Sequence, residues 1–188
     1  MIWNTPNCLT IGRVAAAPLL ALCFVVLPRP AAEWCAFILF CAAGLTDFLD
    51  GWLARRWGQE SEFGKMLDPI ADKAMIAIAL AALVGLTAGS WTILIPATLI
   101  LFREVLVSGL REYLAGRLTI HVTTMAKYKT TAQMLAVGGL ILWETRAFGI
   151  WVWTVSHAAL WLAVFLTLAT GWDYFQKAMT YIWAKEEH

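Results

Sequence analysis

The sequence predicts an all-α integral membrane protein whose six transmembrane helices form one bundle with a cytoplasmic N-terminus. Composition, six apolar runs of membrane-spanning length and the distribution of basic residues lead to this prediction. Of the 188 residues, 61% are hydrophobic and 14% are charged, whereas a soluble domain is roughly half apolar and about a quarter charged. The excess apolar surface requires lipid. The net charge of +1 argues against a nucleic-acid binder, which needs a concentrated basic face.

Each predicted helix corresponds to one apolar run, since about 20 mostly apolar residues cross a bilayer. The runs cover residues 8–27, 31–55, 66–88, 91–115, 127–144 and 147–172. The breaks contain prolines or charges, as in segments 28–30 and 144–146. The first run could imitate a signal peptide, but no small-residue cleavage site follows it, so we expect it to be retained. Because the connections are short, we expect antiparallel neighbours and a single domain over residues 1–188.

Basic residues predict the orientation of the bundle. With the N-terminus inside, most of them fall at or near the cytoplasmic ends of the helices: Arg13, Arg55, Arg56, Lys65, Arg111, Arg117, Lys127, Lys129, Lys177 and Lys185. Arg29 and Arg146 fall on the opposite side. This asymmetry is what the positive-inside rule requires.

Four aspartates embedded in apolar sequence are the strongest functional signal. Asp47 and Asp50 lie near the end of the second run, and Asp68 and Asp72 near the start of the third. Carboxylates at membrane depth are costly and therefore indicate function. Spacings of three and four residues put each pair on one helix face. Since the connection is short, we expect the four carboxylates to converge.

Converging carboxylates cannot all stay ionised without a compensating positive charge. Oxygen ligands favour hard cations such as Mg²⁺, Mn²⁺ or Ca²⁺ over zinc, and a pair of such ions suits phosphoryl transfer. The alternative for any single aspartate is a helix cap or a solvated interfacial group, as Asp68 before Pro69 illustrates. The two helical spacings together favour the metal site.

Small residues and one arginine surround these acids. Gly51 and Ala54 follow Asp50, and Gly64 begins the returning segment, so that a ligand can approach the helix backbone closely. Arg55 provides a forked cation one turn from Asp50, which suits a diphosphate.

These positions resemble the signature of the CDP-alcohol phosphotransferase family, D-x2-D-G-x2-A-R-x8-G-x3-D-x3-D. Every spacing is intact, and the matching residues are Asp47, Asp50, Gly51, Ala54, Arg55, Gly64, Asp68 and Asp72. The opening NTPNCLTIGRV resembles the family segment P-N-x-L-T-x-x-R. The later segments REVLVSGLRE and KYKTTAQ resemble bacterial members whose acceptor is glycerol 3-phosphate.

The resemblance implies a six-helix homodimer in the bacterial inner membrane, with its active site facing the cytoplasm. It implies transfer of the phosphatidyl group of CDP-diacylglycerol to glycerol 3-phosphate, giving phosphatidylglycerophosphate and CMP, with two Mg²⁺ or Mn²⁺ ions. The ions would be held by Asp47, Asp50, Asp68 and Asp72, and Asp72 would also be the general base. The CDP-diacylglycerol site would be lined by Gly51, Ala54, Arg55 and Gly64, with Asn7 and Thr10.

A phosphorylated acceptor requires a second cationic pocket. The candidates are Arg103, Arg111, Lys127, Lys129, Thr130 and Thr131. Arg103 lies deepest in apolar sequence and is the costliest to keep there without a purpose. In the alternative interpretation, the basic residues touch anionic lipid headgroups and Glu104 and Glu112 form structural ion pairs. The sequence leaves both interpretations open.

Two other functions are compatible with a membrane carboxylate site. The first is the same chemistry with inositol phosphate, phosphatidylglycerol or serine as the acceptor. The second is a divalent-cation transporter. Transporters often contain repeated halves and helices broken at the midplane, and this sequence shows neither signal, so the enzyme is favoured.

Overall fold

The computed structural model describes residues 4–58, 61–115 and 124–186, without the side chains at 54, 55, 124–127, 185 and 186. Within these residues the regular structure is helical throughout, which confirms the predicted all-α fold. The helices are α1 (Thr5–Val26), α2 (Ala31–Trp57), α3 (Glu62–Leu86), α4 (Trp91–Leu114), α5 (Thr124–Glu144) and α6 (Ile150–Glu186).

Side-chain caps start α1 and α3 several residues before the apolar runs. The Asn4 side chain accepts a hydrogen bond from the Asn7 backbone N–H at 2.9 Å, and Pro6 lies in the first turn, where its missing N–H has no helical partner to lose. The Ser61 hydroxyl accepts from the Gly64 backbone N–H at 3.0 Å. Each cap satisfies a backbone N–H left free by the helix start.

The helices pack mainly through α1, which contacts α2 and α3, and α6, which contacts α4 and α5; α2 also contacts α5. Alanines such as Ala17, Ala36 and Ala79 are fully buried in the core, where small side chains allow helix backbones to approach closely. Large apolar side chains such as Val25 and Val105 are exposed instead. An outer surface of this kind suits contact with lipid.

Five of the described helices are long and apolar enough to cross a membrane: α1, α2, α3, α4 and α6. The remaining helix, α5, begins with a polar segment that contains Lys127, Lys129 and Gln133, so its assignment as a sixth span stays a prediction. The cytoplasmic N-terminus and the single domain also stay predictions.

Helix α6 is longer than the apolar run predicted. It contains 37 residues and continues beyond position 172 to Glu186. At 1.5 Å per residue its length is about 55 Å, whereas the hydrocarbon core of a bilayer is about 30 Å thick. The added turns are amphipathic and include an ion pair between Asp173 and Lys177 at 2.7 Å. Such residues extend a helix but do not contribute to an apolar run.

Candidate active site

The structure brings the four predicted aspartates together around Arg13 of α1. One terminal nitrogen of Arg13, Nη1, donates to Asp47 Oδ1 at 2.5 Å and to Asp72 Oδ1 at 2.7 Å. The other, Nη2, donates to Asp50 Oδ2 at 2.7 Å and to Asp68 Oδ1 at 3.3 Å. This arrangement follows from the packing of α1 against both α2 and α3, which carry one aspartate pair each.

The cluster has a buried floor and an open side. The side chains of Arg13 and Asp50 are 3% and 5% exposed, whereas Asp47, Asp68 and Asp72 are about half exposed. Three of the four carboxylates are therefore accessible from outside the bundle. If all four are ionised, one guanidinium leaves the cluster with excess negative charge.

Thr10 lies one turn before Arg13 and contacts the same carboxylates. Its hydroxyl oxygen is 2.9 Å from Asp68 Oδ1, 3.3 Å from Asp50 Oδ2 and 3.1 Å from the Pro6 carbonyl oxygen. The single hydroxyl proton can be donated to one of these acceptors at a time. Thr10 therefore links α1 to the aspartate pairs of both neighbouring helices.

Gly64 of the signature allows the start of α3 to pack against α1. A Cβ atom at this position would lie 2.9 Å from Asn7 Oδ1, and the Ser61 hydroxyl donates to the same oxygen at 2.8 Å. From the sequence, this glycine was predicted to leave space for a ligand. In the structure Asn7, which is buried, occupies that space.

The other residues predicted to line the CDP-diacylglycerol site follow the second aspartate. Gly51 is half-buried in α2 beside Asp50. The side chains of Ala54 and Arg55 lie outside the described part of the chain, so their predicted roles stay predictions.

A small cleft opens beside the carboxylates. It has a volume of about 50 Å³, and its polar lining includes Arg13, Asp47, Asp72 and Thr130. Thr130 of α5 was predicted as an acceptor residue, and the structure places it at the same cleft as Asp72. The cleft therefore joins residues of α1, α2, α3 and α5.

An apolar groove runs between α2 and α5 next to this cleft. Its volume is about 600 Å³. It shares Phe40, Gly44 and Met134 with the cleft beside the aspartates. Leu45 and Leu135 also line the groove and are exposed on the outer surface of the bundle. The cleft beside the aspartates and the lipid-facing groove are therefore adjacent.

Two of the predicted acceptor residues, Arg103 and Lys129, meet at Glu104. Lys129 Nζ donates to Glu104 Oε1, and Arg103 Nη1 donates to the same oxygen at 3.2 Å. Arg103 also donates to α6, through Nε to the Thr167 carbonyl and through Nη2 to the Thr170 hydroxyl, each at 3.1 Å. The contacts connect α4, α5 and α6 and serve packing whether or not a substrate binds.

The other acceptor candidates lie at different positions. The Arg111 guanidinium lies over the ring of Tyr174 in α6, 6.0 Å from its centre. Thr131 is exposed on α5. The side chain of Lys127 lies outside the described residues.

Arg13 contacts all four aspartates, but it was not predicted as a site residue, because it was counted only among the positive-inside residues. A signal for it was present. Arg13 is the last residue of the segment P-N-x-L-T-x-x-R and lies three positions after Thr10. This spacing places both side chains on one helix face.

The donor atoms of the cluster suit a hard divalent cation, since they are carboxylate and hydroxyl oxygens. However, no group of three or more histidine, cysteine, aspartate or glutamate side chains among the described residues is arranged to hold a metal ion. The carboxylates point to Arg13 instead. The residues fit divalent cations in chemistry and charge, and Arg13 contacts one of the two oxygens of each carboxylate.

Comparison with known proteins identifies the family to which the chain belongs. Residues 3–169 match the family described as CDP-alcohol phosphatidyltransferase. The chain belongs to this family, which confirms the resemblance identified from the signature.

Individual relatives carry a more specific name. The chain is 43% identical to the CDP-diacylglycerol–glycerol-3-phosphate 3-phosphatidyltransferase of Cereibacter sphaeroides, with 97% of this chain and 98% of the relative covered. Proteins of the same name from Rickettsia bellii and Shigella flexneri serotype 5b are 43% and 41% identical, over 95% of this chain and 97% and 96% of their own lengths.

Proposed function

We propose that this protein transfers the phosphatidyl group of CDP-diacylglycerol to glycerol 3-phosphate, forming phosphatidylglycerophosphate and CMP in a bacterial cytoplasmic membrane. The observation that carries the proposal is the convergence of the four signature aspartates beside a lipid-facing groove. Relatives that cover nearly the whole chain are named for this reaction. The cytoplasmic active site and the homodimer are further parts of the proposal, based on the basic-residue distribution and on the family resemblance.

The groove between α2 and α5 suits the lipid donor. Its apolar lining can hold acyl chains, while its shared wall with the cleft puts a diphosphate near Asp47 and Asp72. Because Leu45 and Leu135 are exposed at the outer surface, a lipid can enter from the bilayer without leaving the apolar phase. The water-soluble acceptor would approach through the open side of the aspartate cluster.

The reaction is an in-line displacement at the phosphorus that bears diacylglycerol. The C1 hydroxyl oxygen of glycerol 3-phosphate bonds to this phosphorus, and the bond to the bridging oxygen breaks, so that CMP leaves with the electron pair. Asp72, which lines the cleft and is half exposed, accepts the hydroxyl proton. Asp47, Asp50, Asp68 and Asp72 would hold two Mg²⁺ or Mn²⁺ ions, which stabilise negative charge on the transferring group when bound.

A basic cluster next to this site suits the acceptor phosphate. Arg103 and Lys129 share the single carboxylate of Glu104, so that two cations face one anion. Lys73 directly follows Asp72 and donates to the Ser108 hydroxyl of α4 at 2.5 Å, one turn from Glu104. A phosphate would supply the missing negative charge, with the arginine fork adding directional hydrogen bonds.

The test is CMP release from CDP-diacylglycerol by purified protein in detergent micelles with Mg²⁺ or Mn²⁺. The acceptors would be glycerol 3-phosphate, inositol phosphate, serine and phosphatidylglycerol. Release should require glycerol 3-phosphate and metal, and should fall at least about a thousandfold in Asp72→Asn, because a general base contributes about 10²–10⁴ and a metal ligand is lost as well.

The matched control is Asp173→Asn, which neutralises an exposed aspartate of α6 that pairs with Lys177. This variant should retain wild-type activity. Release with another acceptor would refute the proposed acceptor but keep the reaction class. Metal binding by folded protein without CMP release from any acceptor would refute the enzyme and favour cation transport.

A further inference from the structure

Arg13 lies at the point where the four aspartates converge. Its guanidinium contacts one oxygen of each of Asp47, Asp50, Asp68 and Asp72 at 2.5–3.3 Å. The remaining guanidinium nitrogen, Nε, is buried without a hydrogen-bond partner among the described residues, so the carboxylates engage only the two terminal nitrogens.

The two sides of the cluster differ in charge and in exposure to solvent. Arg13 reaches the acids from the buried side and is 3% exposed, while Asp47, Asp68 and Asp72 are about half exposed on the open side. A cation from solution can therefore reach the carboxylates opposite the guanidinium. A cation bound to the same carboxylates would be strongly repelled by the charge of Arg13, because charges at a partly buried site are only weakly screened.

We propose that Arg13 is a resident counter-ion that competes with divalent cations for the four carboxylates. It holds the two aspartate pairs together while the site lacks metal, and it gives up carboxylate oxygens when metal binds. This inference rests on the proposed function, in which the aspartates bind metal. Arg13 is thus a positioning residue that sets the affinity of the site for its cations.

A purely structural Arg13 would have the opposite effect on metal affinity. If Arg13 kept its contacts in the metal-bound protein, its removal would disorder the carboxylates and weaken metal binding. If Arg13 is a competitor, its removal leaves four carboxylates without a counter-ion and tightens metal binding. The sign of the change in the dissociation constant therefore separates the two roles.

The experiment measures Mn²⁺ binding to the purified full-length protein in detergent, by electron paramagnetic resonance of the free ion. We expect Arg13→Gln to lower the dissociation constant at least about tenfold, equivalent to about 1.4 kcal/mol. Arg13→Lys should lower it less, because lysine keeps the charge but lacks the forked geometry that reaches several carboxylates. The control is Arg56→Gln, which removes an exposed cation of α2 that lies over Trp52 and should leave the constant within about twofold.

Thermal unfolding provides a readout that does not depend on activity. Arg13→Gln should lower the melting temperature of the metal-free protein, and Mn²⁺ should raise it by more than in the wild type, because ligand stabilisation grows with affinity. Unchanged or weaker Mn²⁺ binding in both Arg13 variants would overturn the inference while leaving the metal site intact. If Arg13→Gln does not fold, the direction in which Arg13→Lys changes the Mn²⁺ dissociation constant decides between the two roles. Absence of Mn²⁺ binding to the wild type would overturn the metal site and this inference together.

Discussion

Glu104→Gln tests whether the basic cluster between α4, α5 and α6 is held by one partly buried carboxylate. Glu104 is 19% exposed, Lys129 is 9% exposed and Arg103 is 12% exposed. The substitution keeps the shape of the side chain and removes its charge. Lys129 then stays buried without an ionised partner, which is the usual reason that breaking a buried pair is costly.

The expected loss of stability follows from this burial. Removing one partner of a buried ion pair costs about 3–5 kcal/mol. The glutamine oxygen still accepts a hydrogen bond, which lowers the expected loss to about 2–3 kcal/mol. For a chain of this length each kcal/mol shifts the melting temperature by about 2–4 °C, so we expect a decrease of about 5–10 °C. Asp173→Asn, which breaks the half-exposed pair with Lys177, should cost less than about 1 kcal/mol.

The assay is thermal unfolding in detergent, followed by the fluorescence of the 11 tryptophans. The double variant Glu104→Gln, Lys129→Met also removes the lysine charge and should recover at least about half of the lost stability, since the more buried of the two cations is gone. Arg103 keeps its two hydrogen bonds to α6. A decrease for Glu104→Gln no larger than that for Asp173→Asn would refute the reasoning, as would additive losses in the double variant. The stabilised double variant should also show a raised KM for glycerol 3-phosphate if Lys129 binds the acceptor phosphate.

One further substitution, with its control, and one oxidation experiment test the helix packing. Gly139→Ala should destabilise the protein by about 1–3 kcal/mol because its Cβ would overlap the Ser156 side chain of α6. The neighbouring Gly138→Ala, whose Cβ meets only ordinary contacts, should cost less than about 1 kcal/mol. Equal melting temperatures for the two variants would contradict this packing of α5 on α6. Mild oxidation should link Cys23 of α1 to Cys35 of α2, whose sulfur atoms lie 3.3 Å apart. Non-reducing peptide mapping would detect the disulfide. Failure to form it would contradict the register of α1 against α2.

Local sequence patterns are enough to predict the class of fold and the grouping of the four aspartates. Apolar runs of sufficient length predicted the helices, because the bilayer sets a minimum length that depends only on neighbouring residues. The spacings of Asp47 with Asp50 and of Asp68 with Asp72 placed each pair on one helix face, since helical periodicity is also a local property. The family signature combined these local features.

The ends of the helices could not be predicted from the apolar runs. Helix α1 starts at Thr5 and α3 at Glu62 because Asn4 and Ser61 cap them, before the apolar residues begin. Helix α6 continues to Glu186 through amphipathic turns. Hydropathy identifies the part of a helix that lies in lipid, whereas caps and helix propensity determine where the helix itself begins and ends.

The contacts between side chains of different helices became visible only in the folded bundle. The contact of Arg13 with all four aspartates, that of Gly64 with Asn7 and the sharing of Glu104 by Arg103 and Lys129 each depend on the rotation and offset of one helix against another. Because large apolar side chains also lie on the outer surface of the described helices, hydropathy does not specify that rotation. It is set by the packing of small and large side chains at the interfaces, which lie far apart in the chain.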